Sequence, residues 1–104
     1  MKNSDFNIEV ENACNRSKRV LQRKGEEYGA DSDRLINFKR SAAIQSLNSI
    51  ETAVGFMTKH YDSVCQMAKN PSSFNRRVWN EKLGDLRNYT ILIEGLLTDL
   101  GIEL

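Results

Sequence analysis

Two short segments concentrate the side chains that could bind a ligand. The first is residues 24–29 (KGEEYG), and the second is residues 34–40 (RLINFKR). The first segment holds two glycines, each costing about 1 kcal/mol inside a helix, so it reads as a connection between helices. Connections that present polar and aromatic side chains on a rigid scaffold are where ligands usually bind. The expected chemistry is phosphate held by cations, with an aromatic ring stacked on a base.

Two further clusters lie later in the chain, at residues 59–60 (KH) and residues 81–89 (EKLGDLRNY). With the first two segments they define a predicted ligand site, whose members are Lys24, Tyr28, Arg34, Asn37, Lys59, His60, Asp85 and Asn88. The three cations in this set would hold phosphates, and Tyr28 would stack on a base. Either asparagine would read the polar edge of that base. Phe38 is an alternative stacking ring, but we expect it in the core.

Simpler roles stay open for several of these residues. Lys59 can be a solvated lysine, and His60 can be satisfied by a backbone carbonyl. Asp85, one turn from Asn88, can form a buried structural hydrogen bond. No GxxxxGK[ST] loop is present, so a phosphate site here would not be a P-loop. One histidine in the chain excludes a site with two histidine ligands.

A metal site is the second chemical possibility. Glu81 and Asp85 are four residues apart, so both carboxylates face the same side of a helix. Such a pair can bind Mg²⁺ when nucleotide phosphates complete its coordination. No cofactor is otherwise predicted, and Glu81 can equally be an exposed surface residue.

Composition describes one ordinary globular domain spanning residues 1–104. Apolar residues make up 39% and charged residues 28%, and the net charge is +1. A near-neutral chain gives no reason to expect binding to duplex nucleic acid. No apolar run suggests a signal peptide or a membrane span, so we expect a cytoplasmic protein without membrane contact. A domain of this size would gain from a homo-oligomer without requiring one.

Helical spacing dominates the sequence, which predicts an all-α bundle of about four helices. The predicted helices run over about residues 6–27, 34–45, 50–69 and 74–99. Gly25 and Gly29 end the first helix, and Asp31, Ser32 or Asp33 caps the second. Asn48 with Glu51 fits a capping box for the third helix.

Apolar residues mark the buried face of each long helix. On the third helix they are Ile50, Val54, Met57, Tyr61, Val64 and Ala68. On the fourth helix they are Val78, Leu86, Tyr89, Leu92, Ile93, Leu96 and Leu97. Gly84 within the fourth helix suggests that another helix packs closely there, and Gly101 ends it.

Four motifs together carry a resemblance to a known family. They are KxxxYG at 24–29, RLxNF at 34–38, KH at 59–60 and GDxxNY at 84–89. In this order they resemble the nucleotide-modification-associated domain family of small phage proteins, over about residues 15–97. The resemblance implies an all-α phage protein in the metabolism of modified nucleotides, which is a setting rather than a reaction.

A more distant resemblance is to the all-α nucleoside triphosphate pyrophosphohydrolases of the MazG and dimeric dUTPase type. It is carried by residues 83–86 (LGDL) and Tyr89. That family holds Mg²⁺ with an ExxE motif and a later ExxD motif. Here Lys82 stands where the second motif needs glutamate, and no ExxE occurs in the chain. Missing ligands would remove both charge neutralisation and water activation.

Three functions follow as expectations. The first is a module that recognises or sequesters a nucleotide or another phosphorylated small molecule. The second is a Mg²⁺-dependent nucleoside triphosphate pyrophosphohydrolase, with Asp85 and Glu81 as metal ligands. The third is an interaction module that inhibits a host protein or pairs with itself through exposed apolar residues such as Ile91 or Leu100.

Overall fold

Four helices make up nearly all the regular structure of the computed structural model, which describes residues 1–104. Helix α1 spans Asn3–Glu26, α2 spans Ile36–Gln45, α3 spans Ser49–Ala68 and α4 spans Arg76–Asp99, with a single 3₁₀ turn at Pro71–Ser73. No strand is present, so the all-α prediction with four helices is confirmed. None of the helices is both long enough and apolar enough to cross a bilayer.

The chain divides into two compact units. Met1–Ser32 contains α1, and Asp33–Leu104 contains the other three helices. Helix α1 begins three residues before its predicted start, with Asp5 in its first turn. An acidic residue there favours the helix because the amino end carries a partial positive charge. Beyond the helix, Gly29 has a φ of +78°, the left-handed conformation that glycine adopts without strain.

Helix α2 begins two residues later than predicted. Its N-cap residue is Leu35, and no side chain caps the helix. Instead, the Asp33 carboxylate accepts a hydrogen bond from the backbone N–H of Leu35 at 3.0 Å. Aspartate commonly bonds the backbone two residues ahead in this way, which stabilises a turn rather than the helix itself. The predicted cap among Asp31, Ser32 and Asp33 was therefore wrong.

Two asparagines set the starts of α3 and α4. The side chain of Asn48 accepts from the backbone N–H of Glu51 at 2.8 Å, and the Glu51 carboxylate accepts from the backbone N–H of Asn48 at 3.2 Å. This is the predicted capping box. Helix α4 was expected to open near Phe74, but Asn75 caps it by accepting from the backbone N–H of Val78 at 3.0 Å.

The core of the second unit lies where the three helices α2, α3 and α4 meet. Its buried residues are Leu35, Phe38, Ala53 and Leu96, with Ile50, Tyr89, Leu92 and Ile93 packed against them. The Phe38 ring lies 6.0 Å from Phe56 and 6.2 Å from Tyr89, between centroids. Phe38 is therefore a core residue, as expected, and is not free to stack on a ligand.

The predicted buried face of α3 is partly wrong. Val54 is 44% exposed and Tyr61 is 60% exposed. The covered positions lie one residue earlier, at Ala53 and His60, and continue to Met67. Helical spacing alone fits both sets, because each repeats at three and four residues.

An ion-pair network joins the start of the second unit to the end of α4. The Lys39 ammonium donates to the Asp33 carboxylate at 2.7 Å and to the Asp99 carboxylate at 2.8 Å. The hydrogen bond from Lys39 holds the pKa of Asp33 below its ordinary value, and the N–H of Leu35 acts in the same direction. The hydrogen bond to Asp33 is the largest cause that raises the pKa of Lys39, and the hydrogen bond to Asp99 is the second.

The close packing predicted at Gly84 occurs at Gly95 instead, against Leu35, the N-cap residue of α2. A Cβ added at Gly84 would meet only the Arg87 guanidinium at 3.6 Å, an ordinary contact. A Cβ added at Gly95 would lie 3.3 Å from a methyl carbon of Leu35. Gly95 is thus the glycine of α4 that lets the start of α2 pack closely.

The substitution Gly84→Ala is expected to raise the free energy of unfolding by about 0.5–1 kcal/mol, because alanine loses less backbone entropy in a helix. The matched change Gly95→Ala gains the same entropy but crowds Leu35, so its net effect should be smaller. Urea unfolding of both variants measures the difference. A destabilised Gly84→Ala variant would contradict this account.

Candidate functional site

The predicted site residues are divided between the two units. Lys24, on the last turn of α1, and Tyr28, just beyond it, belong to the first unit. The other six belong to the second unit, and they are Arg34, Asn37, Lys59, His60, Asp85 and Asn88. Within the second unit, the clearest convergence is that of His60 on α3 with Asp85 on α4.

His60 and Asp85 face each other across the two helices. The His60 Nδ1 atom lies 3.6 Å from a carboxylate oxygen of Asp85, and both side chains are partly buried. This distance is too long for a good hydrogen bond, so the contact is electrostatic. It becomes an ion pair when the imidazole is protonated. The two side chains therefore keep hydrogen-bonding capacity for a third group.

Tyr89 completes this arrangement, although it was predicted as part of the buried face and of the GDxxNY motif and not as a ligand-binding residue. Its ring centroid lies 5.0 Å from that of His60 with the planes tilted by 36°. Burial raises the pKa of Tyr89, and the negative charge of Asp85 raises it further. The neutral phenol is thus favoured. Its spacing of four residues after Asp85 was the sequence signal for a shared helix face.

Asn88 lies one turn beyond Asp85 on α4 and is 8% exposed. Its side-chain carbonyl oxygen is buried and accepts no hydrogen bond. An unsatisfied buried polar atom costs about 1–3 kcal/mol, which makes this oxygen an exception among buried polar groups. An asparagine that carries such a penalty is a good candidate for a ligand contact.

Arg34 and Asn37 flank the start of α2. Arg34 is half-buried and Asn37 is exposed. Phe38 follows Asn37 in the chain, and its ring centroid lies 6.2 Å from that of Tyr89. The ring series from Phe38 through Tyr89 to His60 therefore connects this end of α2 with the His60–Asp85 contact.

Lys59 is exposed on α3, and its ammonium forms no ion pair. It adjoins His60 in sequence, and successive helical residues diverge by about 100°, so the two side chains leave the helix in different directions. Lys24 is likewise exposed. Both remain predictions as phosphate contacts.

The predicted metal ligands lie on α4, where Glu81 is exposed and Asp85 is partly buried. No group of three or more histidine, cysteine, aspartate or glutamate side chains is placed to hold a metal ion. The Mg²⁺ site formed by these two carboxylates with nucleotide phosphates remains a prediction.

Comparisons with protein-family models, curated proteins and solved structures find no match to this chain. The resemblance to the nucleotide-modification-associated domain family therefore stands on the sequence motifs alone. Two of those motifs, KH at 59–60 and GDxxNY at 84–89, supply the residues that meet across α3 and α4.

Proposed function

We propose that this chain binds a nucleotide or another phosphorylated small molecule at the contact between α3 and α4. The observation that carries the proposal is the meeting of His60 with Asp85, one helical turn from a buried amide oxygen of Asn88 that has no partner. Together these groups offer a carboxylate, an imidazole and an uncommitted acceptor within one short stretch of two helices.

These side chains suit the polar edge of a base. A carboxylate and an amide oxygen accept hydrogen bonds from amino and ring N–H groups, while imidazole donates or accepts according to its protonation. Enzymes that flip a base out of a nucleic acid recognise the base by hydrogen bonds to the same kind of edge. The buried Phe38 contributes through packing only.

Phosphates require cations near this edge. Lys59 lies on the same helix as His60, and Arg34 lies just before the start of α2. A lysine binds phosphate as a point charge, whereas arginine can form paired hydrogen bonds.

The first test measures calorimetric binding and native mass spectra against deoxynucleoside mono- and triphosphates, with and without Mg²⁺. We expect intact nucleotide to be retained. The variant Asn88→Ala should bind about tenfold more weakly, the equivalent of one lost hydrogen bond. The same variant should unfold at equal or higher urea concentration, because the unsatisfied oxygen is removed and alanine favours the helix.

A matched pair of lysines isolates the phosphate contact. Lys59→Ala should weaken binding without changing stability, whereas Lys69→Ala at the end of the same helix should change neither. Failure of every nucleotide to bind, or wild-type affinity in both Asn88→Ala and Lys59→Ala, would disprove the proposal. Release of pyrophosphate would instead indicate the hydrolase, with Asp85 and Glu81 holding Mg²⁺.

A further inference from the structure

Helices α3 and α4 contact each other through one row of side chains on each helix, the contact seam. Each helix also carries a second row, the second seam, whose residues come one position after those of the contact seam. The contact seam includes Ala53 and His60 on α3, with Asp85 and Tyr89 on α4. The second seam consists of Val54, Thr58, Tyr61, Cys65 and Ala68 on α3, and Trp79, Leu83, Leu86, Thr90, Ile93 and Leu97 on α4. Both sets repeat at alternating steps of three and four residues, the spacing of helices that pack side by side.

The two halves of this second seam lie on one face of the helix pair. The helices are antiparallel, since Ile50 near the start of α3 packs in the cluster of Leu96 near the end of α4. One residue turns a right-handed helix by about 100°. In an antiparallel pair, moving one residue forward from the contact seam leads to the same face of the helix pair, whichever of the two helices is followed. The second seam is therefore a continuous surface.

This surface is exposed or half-buried along its length, and its eleven residues carry no charge. Val54 is 44% exposed and Leu83 is 42% exposed. None of the eleven seam residues is charged, although 28% of the chain is. A face without cations does not suit nucleic acid or an anionic membrane, both of which are recognised through lysine and arginine.

Three polar groups on the surface already have hydrogen-bond partners within the chain. The hydroxyl of Thr58 donates to a backbone carbonyl one turn earlier at 3.0 Å, and that of Thr90 does so at 2.6 Å. The indole N–H of Trp79 donates to the backbone carbonyl of Pro71 at 3.0 Å. The surface can consequently lose its water without leaving these donors unpaired.

The size of the surface matches a small dimer interface. The second seam covers 15 residues of α3, from Val54 to Ala68, and 19 residues of α4, from Trp79 to Leu97, so it is about 22–28 Å long. Two helices about 10 Å apart present a face roughly 20 Å wide. The resulting area of roughly 500 Å² per copy, or roughly 1,000 Å² in total, is about the smallest area that a specific interface needs.

We propose that a second copy of this chain docks on the second seam, so that α3 and α4 of two copies form an antiparallel four-helix bundle. An uncharged face meets its own copy without repulsion, as a two-fold symmetric interface requires. Two adjacent apolar seams on one helix are what a four-helix bundle needs, because each helix there packs against two neighbours. The dimer is independent of the nucleotide site.

Analytical ultracentrifugation tests the dimer with two matched variants. Leu83 and Ile91 lie on the same helix and are 42% and 40% exposed, but only Leu83 belongs to the seam. Wild-type protein should reach twice the chain mass of 11.9 kDa between about 1 and 100 μM, the affinity range of an interface this size. Leu83→Lys should raise the dissociation constant about 100-fold or more, whereas Ile91→Lys should leave it unchanged.

Val54→Lys gives an independent check from α3, and circular dichroism at low concentration verifies that each variant remains helical. Loss of the dimer in both seam variants, with retention in Ile91→Lys, supports the proposal. A wild-type monomer throughout the range would overturn it and leave the face to a different protein. A dimer that survives both seam variants would also overturn it.

Discussion

Replacing Phe38 with alanine is expected to lower the free energy of unfolding by about 3–5 kcal/mol, the usual cost of removing a buried aromatic side chain. Phe38 is the residue through which α2 meets both neighbouring helices, since its ring touches Phe56 on α3 and Tyr89 on α4. Urea unfolding followed by circular dichroism measures the change. Domains of this size are stable by about 5–15 kcal/mol, so the variant should be close to unfolding at 37 °C.

The control lies on the same short helix. Ile44 is 85% exposed, so Ile44→Ala should change stability by no more than about 0.5 kcal/mol. If Phe38→Ala unfolded like the wild type, Phe38 would not hold α2 in place. The alternative prediction, that Phe38 stacks on the base of a ligand, would then be favoured.

The second large effect is expected at Leu96, which is fully buried in the same cluster as Ala53. Leu96→Ala should cost about 2–5 kcal/mol because it leaves a cavity. Ala53→Leu alone should cost about 1–3 kcal/mol through overpacking. The double variant exchanges a large and a small residue across the α3–α4 contact. Its loss in free energy of unfolding should therefore be smaller than the sum of the two single losses by about 0.5–3 kcal/mol.

A double-mutant cycle in urea provides the measurement. Leu100→Ala, at an exposed leucine just beyond α4, should have little effect and controls for the leucine-to-alanine change itself. Strictly additive losses would show that residues 53 and 96 do not share one space. The proposed register of α3 on α4 would then need revision.

Local features of the fold could be predicted from neighbouring residues. The capping box of Asn48 and Glu51 spans only four residues of sequence, and its hydrogen bonds are present as expected. Gly101, predicted to end α4, has a φ of +75°. Helix α4 starts later than predicted because a 3₁₀ turn begins at Pro71 and leaves Asn75 as the cap.

Features that depend on the pairing of helices could not be predicted in this way. Val54 and Tyr61 have the spacing of a buried face, yet Ala53 and His60 are the covered residues. The choice between two adjacent seams depends on which neighbour packs against the helix, and periodicity carries no such information. The same limit explains why close packing was predicted at Gly84, whereas the structure has it at Gly95.

At the candidate site, the choice of residues could be predicted from the sequence, but their geometry could not. His60, Asp85 and Asn88 could be selected by residue type and by their order along the chain. Their geometry could not, because the 3.6 Å contact of His60 with Asp85 depends on the register of two antiparallel helices. The unpaired oxygen of Asn88 likewise appears only once burial is known.

Lys39 makes the end of α4 sensitive to salt. Its two carboxylate partners, Asp33 and Asp99, lie near opposite ends of the second unit in sequence. All three side chains are exposed to solvent. Dissolved ions weaken exposed charge pairs of this kind, while the apolar cluster around Leu96 is largely indifferent to them. Rising ionic strength should therefore let the last turn of α4 open locally and exchange its amide hydrogens, while the core stays closed.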